Sequence, residues 1–134
     1  MSKKKILLIE PDNVLSQAVT TGLIRSSYSV TQCKTAQHAI NTADKENFDL
    51  VICELMLVSH SGIEFLYEFR SYNDWQNVPV IIFSSVPPSE FSVSRNGLSR
   101  ELSVSVYLYK PHTSLKKLLQ SVDSLLAVPT NENS

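Results

Sequence analysis

Glycine is scarce in this sequence, with three in 134 residues. That leaves no glycine-rich loop to cradle a phosphate and no Gly-x-Ser-x-Gly turn to present a nucleophilic serine. Histidine is confined to His38, His60 and His112, and no two of them share metal-ligand spacing. No apolar stretch approaches the ~18 residues needed to span a bilayer. The lysines at the start lead only into Ile6-Leu7-Leu8-Ile9 before Glu10 intervenes, too short an apolar core for a signal peptide. Residue 2 is serine, which excludes N-myristoylation. The formal net charge of -1 gives no electrostatic case for nucleic acid or membrane as a direct partner. The expectation is a cytoplasmic protein in which Cys33 and Cys53, the two cysteines, are free thiols.

What is present is ordinary for one globular domain: 43% hydrophobic and 19% charged residues. We read a domain over residues 1–128 and a polar tail over 129–134. Charge is uneven along it. From Trp75 to Val122 the acids are Glu90 and Glu101, against Arg95, Arg100, Lys110, Lys116 and Lys117. Such a stretch suits an acidic partner surface, although a solvated face is the simpler reading.

Apolar runs at Lys5–Ile9, Phe48–Cys53, Pro79–Phe83 and Val104–Tyr109, with a weaker alternation at Tyr28–Cys33, predict five strands. Their continuous hydrophobicity is that of strands buried on both faces. Between them, apolar residues recur at helical spacing from Val14 to Leu23, Ala36 to Ala43 and Ile63 to Arg70, and Thr35 is placed to cap the second of these. The firmest stripe is Leu115, Leu118, Leu119, Val122, Leu125 and Leu126. Leu55 to Gly62 reads as a loop. After Pro87-Pro88 the pattern thins, with Phe91, Val93, Leu98 and Leu102 as the apolar anchors of a weak helix.

Strands alternating with helices predict a parallel sheet covered on both faces, and in such sheets function gathers at the carboxyl ends of the strands. Those ends carry Glu10 and Asp12 after the first strand, Glu54 after the third, Ser84-Ser85 after the fourth and Lys110-Pro111 after the fifth. Any one of these could be a polar residue meeting solvent. Acid, acid, hydroxyl and lysine on four separate strands are harder to explain that way.

In order and spacing, Ile-Leu-Leu-Ile-Glu-Pro-Asp, Asp-Leu-Val-Ile-Cys-Glu, Gly62, Val-Pro-Val-Ile-Ile-Phe-Ser-Ser and Tyr-Leu-Tyr-Lys-Pro resemble the receiver domain of two-component response regulators, the CheY-like family. The resemblance covers about Lys4 to Leu126. It implies a doubly wound α/β fold with five parallel strands in the order 2-1-3-4-5, and a cis peptide between Lys110 and Pro111. With that strand order, Cys33 and Cys53 lie about 9.5 Å apart, two strand spacings, too far for a disulfide.

The family's chemistry uses an aspartate nucleophile after the third strand, an acidic pair after the first that holds Mg²⁺, a hydroxyl after the fourth and a lysine after the fifth. These positions fall on Glu54, on Glu10 and Pro11, on Ser84 and on Lys110. The aromatic that turns inward in the active state falls on Tyr107. Two positions depart from the pattern. Glu54 is one methylene longer than aspartate, and an ångström of misplacement in an in-line transfer can cost roughly 10²-fold. Glutamate also puts its charge about where a phosphorylated aspartate would. Pro11 supplies no metal ligand; Asp12 either substitutes for it, giving Mg²⁺ bound through Glu10, Asp12 and Glu54, or caps the first helix. We expect the cap, and an ion pair between Glu54 and Lys110. Met56 and Val86, at positions that often tune dephosphorylation in the family, carry nothing to orient a hydrolytic water.

The resulting expectation is a non-enzymatic, atypical receiver that needs neither phosphorylation nor a cofactor. It would contact protein partners through the face of the fourth helix, fifth strand and fifth helix, a face that supports dimers in the family and leaves a homodimer open. Three alternatives stand beside it: a conventional phosphoacceptor served by a histidine kinase, a ligand-sensing pseudo-receiver, and one piece of a larger regulator.

Overall fold

The computed structural model of the chain describes residues 3–57, 61–92 and 102–127. Its elements run β1 (Lys5–Ile9), α1 (Asn13–Arg25), β2 (Ser29–Cys33), α2 (Ala36–Ala43), β3 (Leu50–Cys53), α3 (Gly62–Arg70), β4 (Val80–Ser84), α4 (Pro88–Ser92), β5 (Val106–Tyr109) and α5 (Leu115–Leu126). All pairings are parallel, in the order β2-β1-β3-β4-β5, as the resemblance implies.

Alternation along each strand divides the core in two. Leu7, Ile9, Val51, Cys53, Val80 and Ile82 meet Phe65, Leu66 and Phe69 of α3 and the alanine face of α2. Ile6, Leu8, Leu50, Ile52, Ile81 and Phe83 meet Val19 and Leu23 of α1 and Leu118 and Val122 of α5. Each fully buried Leu, Ile or Phe stabilises the fold by about 1.5–3 kcal/mol, which is why Ile6–Ile9, Leu50–Cys53 and Val80–Phe83 are apolar throughout. Ile9 pairs with Cys33 on one side and Cys53 on the other, so the two buried, free cysteines flank β1.

Four helices start on side-chain caps. Asp12 accepts the Val14 and Leu15 N–H groups, Thr35 that of His38, and Ser114 that of Lys117. Ser61 and Glu64 form a reciprocal capping box on α3, so Gly62 opens that helix rather than closing the loop before it.

Other boundaries move for identifiable reasons. Tyr28 is outside β2, because its N–H returns to Leu23 O at 3.1 Å and its hydroxyl reaches Asp123 at 2.5 Å. β5 begins at Val106, two residues after Val104, following Ser103, whose φ is 52°. His112 belongs to a 3-10 turn over Lys110–His112, not to the last helix. That turn also bears on the Lys110–Pro111 bond, which is trans rather than cis: proline near the start of a helical turn needs neither its missing N–H nor an unusual φ. After β4 the helix over Pro88–Ser92 is present and Leu102 is buried. The expected anchors Val93 and Leu98, the basic Arg95 and Arg100, and the 129–134 tail lie outside the described residues. No helix among the described residues is long and apolar enough to cross a membrane.

Candidate functional site

Parallel strands end on one rim, and main-chain hydrogen bonds carry the ladder one residue past them. Glu10 N–H bonds to Cys33 O at 2.9 Å, and Glu54 N–H to Ile9 O at 3.0 Å. Both carboxylates are thereby held at the rim, yet they are 2% and 3% exposed respectively. Buried charge is costly unless paired and hydrogen-bonded, and here it is both.

Glu54 accepts from six donors. Its Oε2 takes the N–H of Leu55 at 2.6 Å and of Met56 at 3.1 Å, together with the Ser84 hydroxyl. Its Oε1 takes the N–H of Ser85 at 3.1 Å, the Ser85 hydroxyl at 3.3 Å and the Lys110 ammonium at 2.8 Å. A carboxylate offers about four lone-pair positions, so this one is saturated. Burial by itself would raise the Glu54 carboxyl; the bonds from Lys110, Ser84 and the N–H groups of Met56 and Ser85 outweigh it and hold the group below its ordinary value.

Lys110 reaches both acids, with Nζ 2.7 Å from Glu10 Oε1 and 2.8 Å from Glu54 Oε1, and it lies 5.6 Å from the Phe83 ring centroid. Burial would lower its ammonium, but the hydrogen bonds and charges of Glu10 and Glu54 raise it above the ordinary lysine value. The second Glu10 oxygen accepts Asp12 N–H at 3.0 Å. Beneath the site, burial and then the charges of Glu54 and Glu10 push the Cys53 thiol far up, so it remains protonated and donates to Glu54 O at 3.2 Å.

A second connection leads sideways. Val86 N–H donates to Ser84 Oγ at 3.0 Å, and Val86 O accepts the Tyr107 hydroxyl at 2.5 Å. Tyr107 is half-buried against the α2–α3 side of the core. Burial, as the largest cause, pushes its phenol up to about 12. Glu54, Ser84, Val86 and Tyr107 thus form one hydrogen-bonded chain from the rim to β5.

The sequence matches the response regulator receiver domain over residues 6–123. The chain belongs to that family. It is similar to regulatory protein VanRB of Enterococcus faecalis, 28% identical over 91% of this chain and 52% of the relative. It is also similar to the transcriptional activator protein PfeR of Pseudomonas aeruginosa, 31% identical over 91% of this chain and 37% of the relative. The chain therefore spans about half or less of the length of these curated relatives. Among solved structures, chemotaxis protein CheY4 of Vibrio cholerae superposes with a TM-score of 0.81 at 20% identity, covering 93% of this chain and 100% of that one. Response regulator TrrA of Thermotoga maritima, in complex with Mg²⁺-BeF, gives 0.77 at 20% identity, covering 92% and 99%. These two likenesses bear on the fold.

Set in the receiver family, this rim gathers Glu10, Glu54, Ser84 and Lys110 at one point and leaves Asp12 apart. The Asp12 carboxylate is exposed, and its Oδ1 accepts the N–H groups of Val14 and Leu15 at 2.9 and 3.1 Å, so it caps α1. The Mg²⁺ that the family implies finds a poor donor set here. Pro11 brings no carboxylate, and Glu54 has no free lone pair. Among the described residues no group of three acid, histidine or cysteine side chains is arranged to hold a metal ion. Met56 lies at the mouth, 62% exposed, with its sulfur 3.7 Å from Ser85 Oγ. His60 lies outside the described residues.

Sequence reading named Ser85 only as a neighbour of Ser84, and it missed the main-chain donors of Leu55 and Met56 and the Val86 carbonyl. No side-chain signal could have revealed those, because any residue carries them.

Proposed function

We propose that this receiver domain signals without accepting a phosphoryl group, by protein–protein contact, with the Glu54 carboxylate held in the place of a charged, modified side chain. The observation that carries the reading is the saturation of Glu54 by Ser84, Ser85, Lys110 and the Leu55 and Met56 N–H groups. A nucleophile needs a free lone pair and an open line of approach, and phosphoryl transfer depends on positioning and charge neutralisation around both. Glu54 has neither. The donors that would receive an added negative group are already occupied by glutamate's own charge, one methylene further out than aspartate's.

The same reading gives the domain a population biased to one state rather than one switched by phosphate. The Tyr107 hydroxyl on Val86 O, coupled through Ser84 to Glu54, supports it. The partner face we assign is α4, β5 and α5, to which Tyr107 belongs through β5 and the exposed Lys116 and Lys117 through α5. A homodimer through it is one form such contact takes. VanRB and PfeR are named as a regulatory protein and a transcriptional activator; an output of that kind, through a separate or attached effector, is the reading for this chain. Its role is that of a cytoplasmic binding module rather than an enzyme.

The test is intact mass after incubation with Mg²⁺ and a small phosphodonor, with a Glu54→Asp, Pro11→Asp double variant alongside. The expected result is no mass gain on the wild type and one phosphoryl group on the double variant. Phosphorylation of the wild type would overturn the proposal and restore a conventional phosphoacceptor.

A further inference from the structure

We infer that Lys110 is the resident cation of this pocket, taking the same two carboxylate oxygens that a divalent metal would need. The inference rests on the phosphorylation-independent reading and adds a reason why the site holds its form unaided. Mg²⁺ requires carboxylate oxygens at about 2.0–2.1 Å in near-octahedral array and gives up its waters reluctantly. Glu10 Oε1 and Glu54 Oε1 are each within hydrogen-bond distance of one ammonium nitrogen, at 2.7 and 2.8 Å.

The remaining demand of both acids is met by main-chain N–H groups and by the hydroxyls of Ser84 and Ser85. Glu10 Oε2 takes Asp12 N–H, and Glu54 takes the N–H groups of Leu55, Met56 and Ser85. Two oxygen pairs that would call for a metal are thereby satisfied by one covalently attached cation, four N–H groups and two hydroxyls.

Two observations reinforce the assignment. Asp12 is the acid that could add a third carboxylate, and it faces α1 instead. The lysine side chain is 18% exposed, so its charge is only lightly screened by water and salt. A cation supplied by the chain itself does not depend on metal concentration. Occupancy of the pocket is therefore constitutive.

The experiment uses Mn²⁺ as a paramagnetic probe of divalent binding, read by selective broadening of the Asp12, Leu55 and Met56 amide signals in ¹H–¹⁵N spectra. Wild-type protein is expected to show no saturable broadening at these amides. Lys110→Ala should show it, with apparent affinity tighter by about tenfold or more, reversed by excess Mg²⁺ and abolished by adding Glu10→Gln. Saturable broadening in the wild type, or none in a folded Lys110→Ala protein, overturns the assignment.

Should Lys110→Ala not fold, the wild type decides alone. Its Lys110 ammonium resonance should persist unchanged in millimolar Mg²⁺, and loss or displacement of that resonance overturns the assignment. Failure here is distinguishable from failure of the proposed function. Mn²⁺ uptake by the wild type leaves the phosphodonor result standing, and a phosphorylated wild type leaves the Lys110 measurement standing.

Discussion

Gly62 lies so close to Glu54 that an ideal β-carbon on Gly62 would stand 2.4 Å from the Glu54 carbonyl oxygen. The same atom would be 2.9 Å from Leu55 Cα and 3.0 Å from Cys53 Sγ. Two of these obstacles are backbone and cannot swing aside. The close approach lets Gly62 N–H bond to Leu55 O at 2.8 Å, tying the start of α3 to the segment that bears the site. Gly62→Ala should therefore cost about 1–3 kcal/mol in urea unfolding, as overpacking does. It should also shift the Leu55 and Met56 amide resonances. Unchanged stability and spectra would show that the loop has room to give.

Glu54 should make stability fall on the acid side. Its folded carboxyl sits below its ordinary value of 4.5, so the stability it contributes is present above that value. That contribution is lost as pH falls through the folded value. Glu54→Gln should be less stable at neutral pH by about 1–3 kcal/mol, and its stability should fall less steeply below the ordinary carboxylate range. Lys110 acts at the other end: raised above 10.5, its contribution is full below that value and is lost as pH climbs through the raised one. Parallel wild-type and Glu54→Gln curves under acid would refute the first expectation.

Arg70 is a clamp at the opposite end of the sheet. Its guanidinium donates to Leu102 O at 2.8 Å, Trp75 O at 2.6 Å and Ser103 O at 3.1 Å. It thereby ties the end of α3 to the approaches of β4 and β5. Hydrogen bonds from a charged donor contribute about 1.5–3 kcal/mol each, and not additively. Arg70→Ala should cost about 2 kcal/mol or more in chemical denaturation, and Arg70→Lys should recover only part, since an ammonium lacks the planar fork. Full recovery by lysine would mean that charge alone matters there.

Ser27 turns the chain from α1 to β2 with φ of 73°, a left-handed conformation that costs a side-chain-bearing residue about 1–2 kcal/mol. Ser27→Gly relieves that cost but loosens the unfolded chain, for an expected net gain of up to about 1 kcal/mol. Ser27→Val should move the other way. Thermal unfolding of the pair checks the sign, and equal melting temperatures would show that the turn relaxes.

Much of the fold was legible because strand burial is written in composition. Ile6 to Ile9 and Leu50 to Cys53 are apolar at every position, and only a sheet covered on both faces asks for that. Asp12, Thr35 and the Leu115–Leu126 stripe announced their helices in the same local way. The rim was legible too, as residue types at strand ends. Boundaries were less so, since Tyr28 fell out of β2 through a contact with Asp123 on a distant helix.

By itself, then, the sequence determined a parallel α/β sheet with Glu10, Glu54, Ser84 and Lys110 on one rim, because apolar periodicity and strand-end polarity are properties of residue types. Only the tertiary structure decided that Lys110 bridges both acids, that Leu55, Met56 and Ser85 point their N–H groups at Glu54, and that the Lys110–Pro111 bond is trans. The physical reason is that main-chain donors are common to nearly all residues. Where they aim, and which charge a long side chain reaches, depends on backbone angles and distances set by packing.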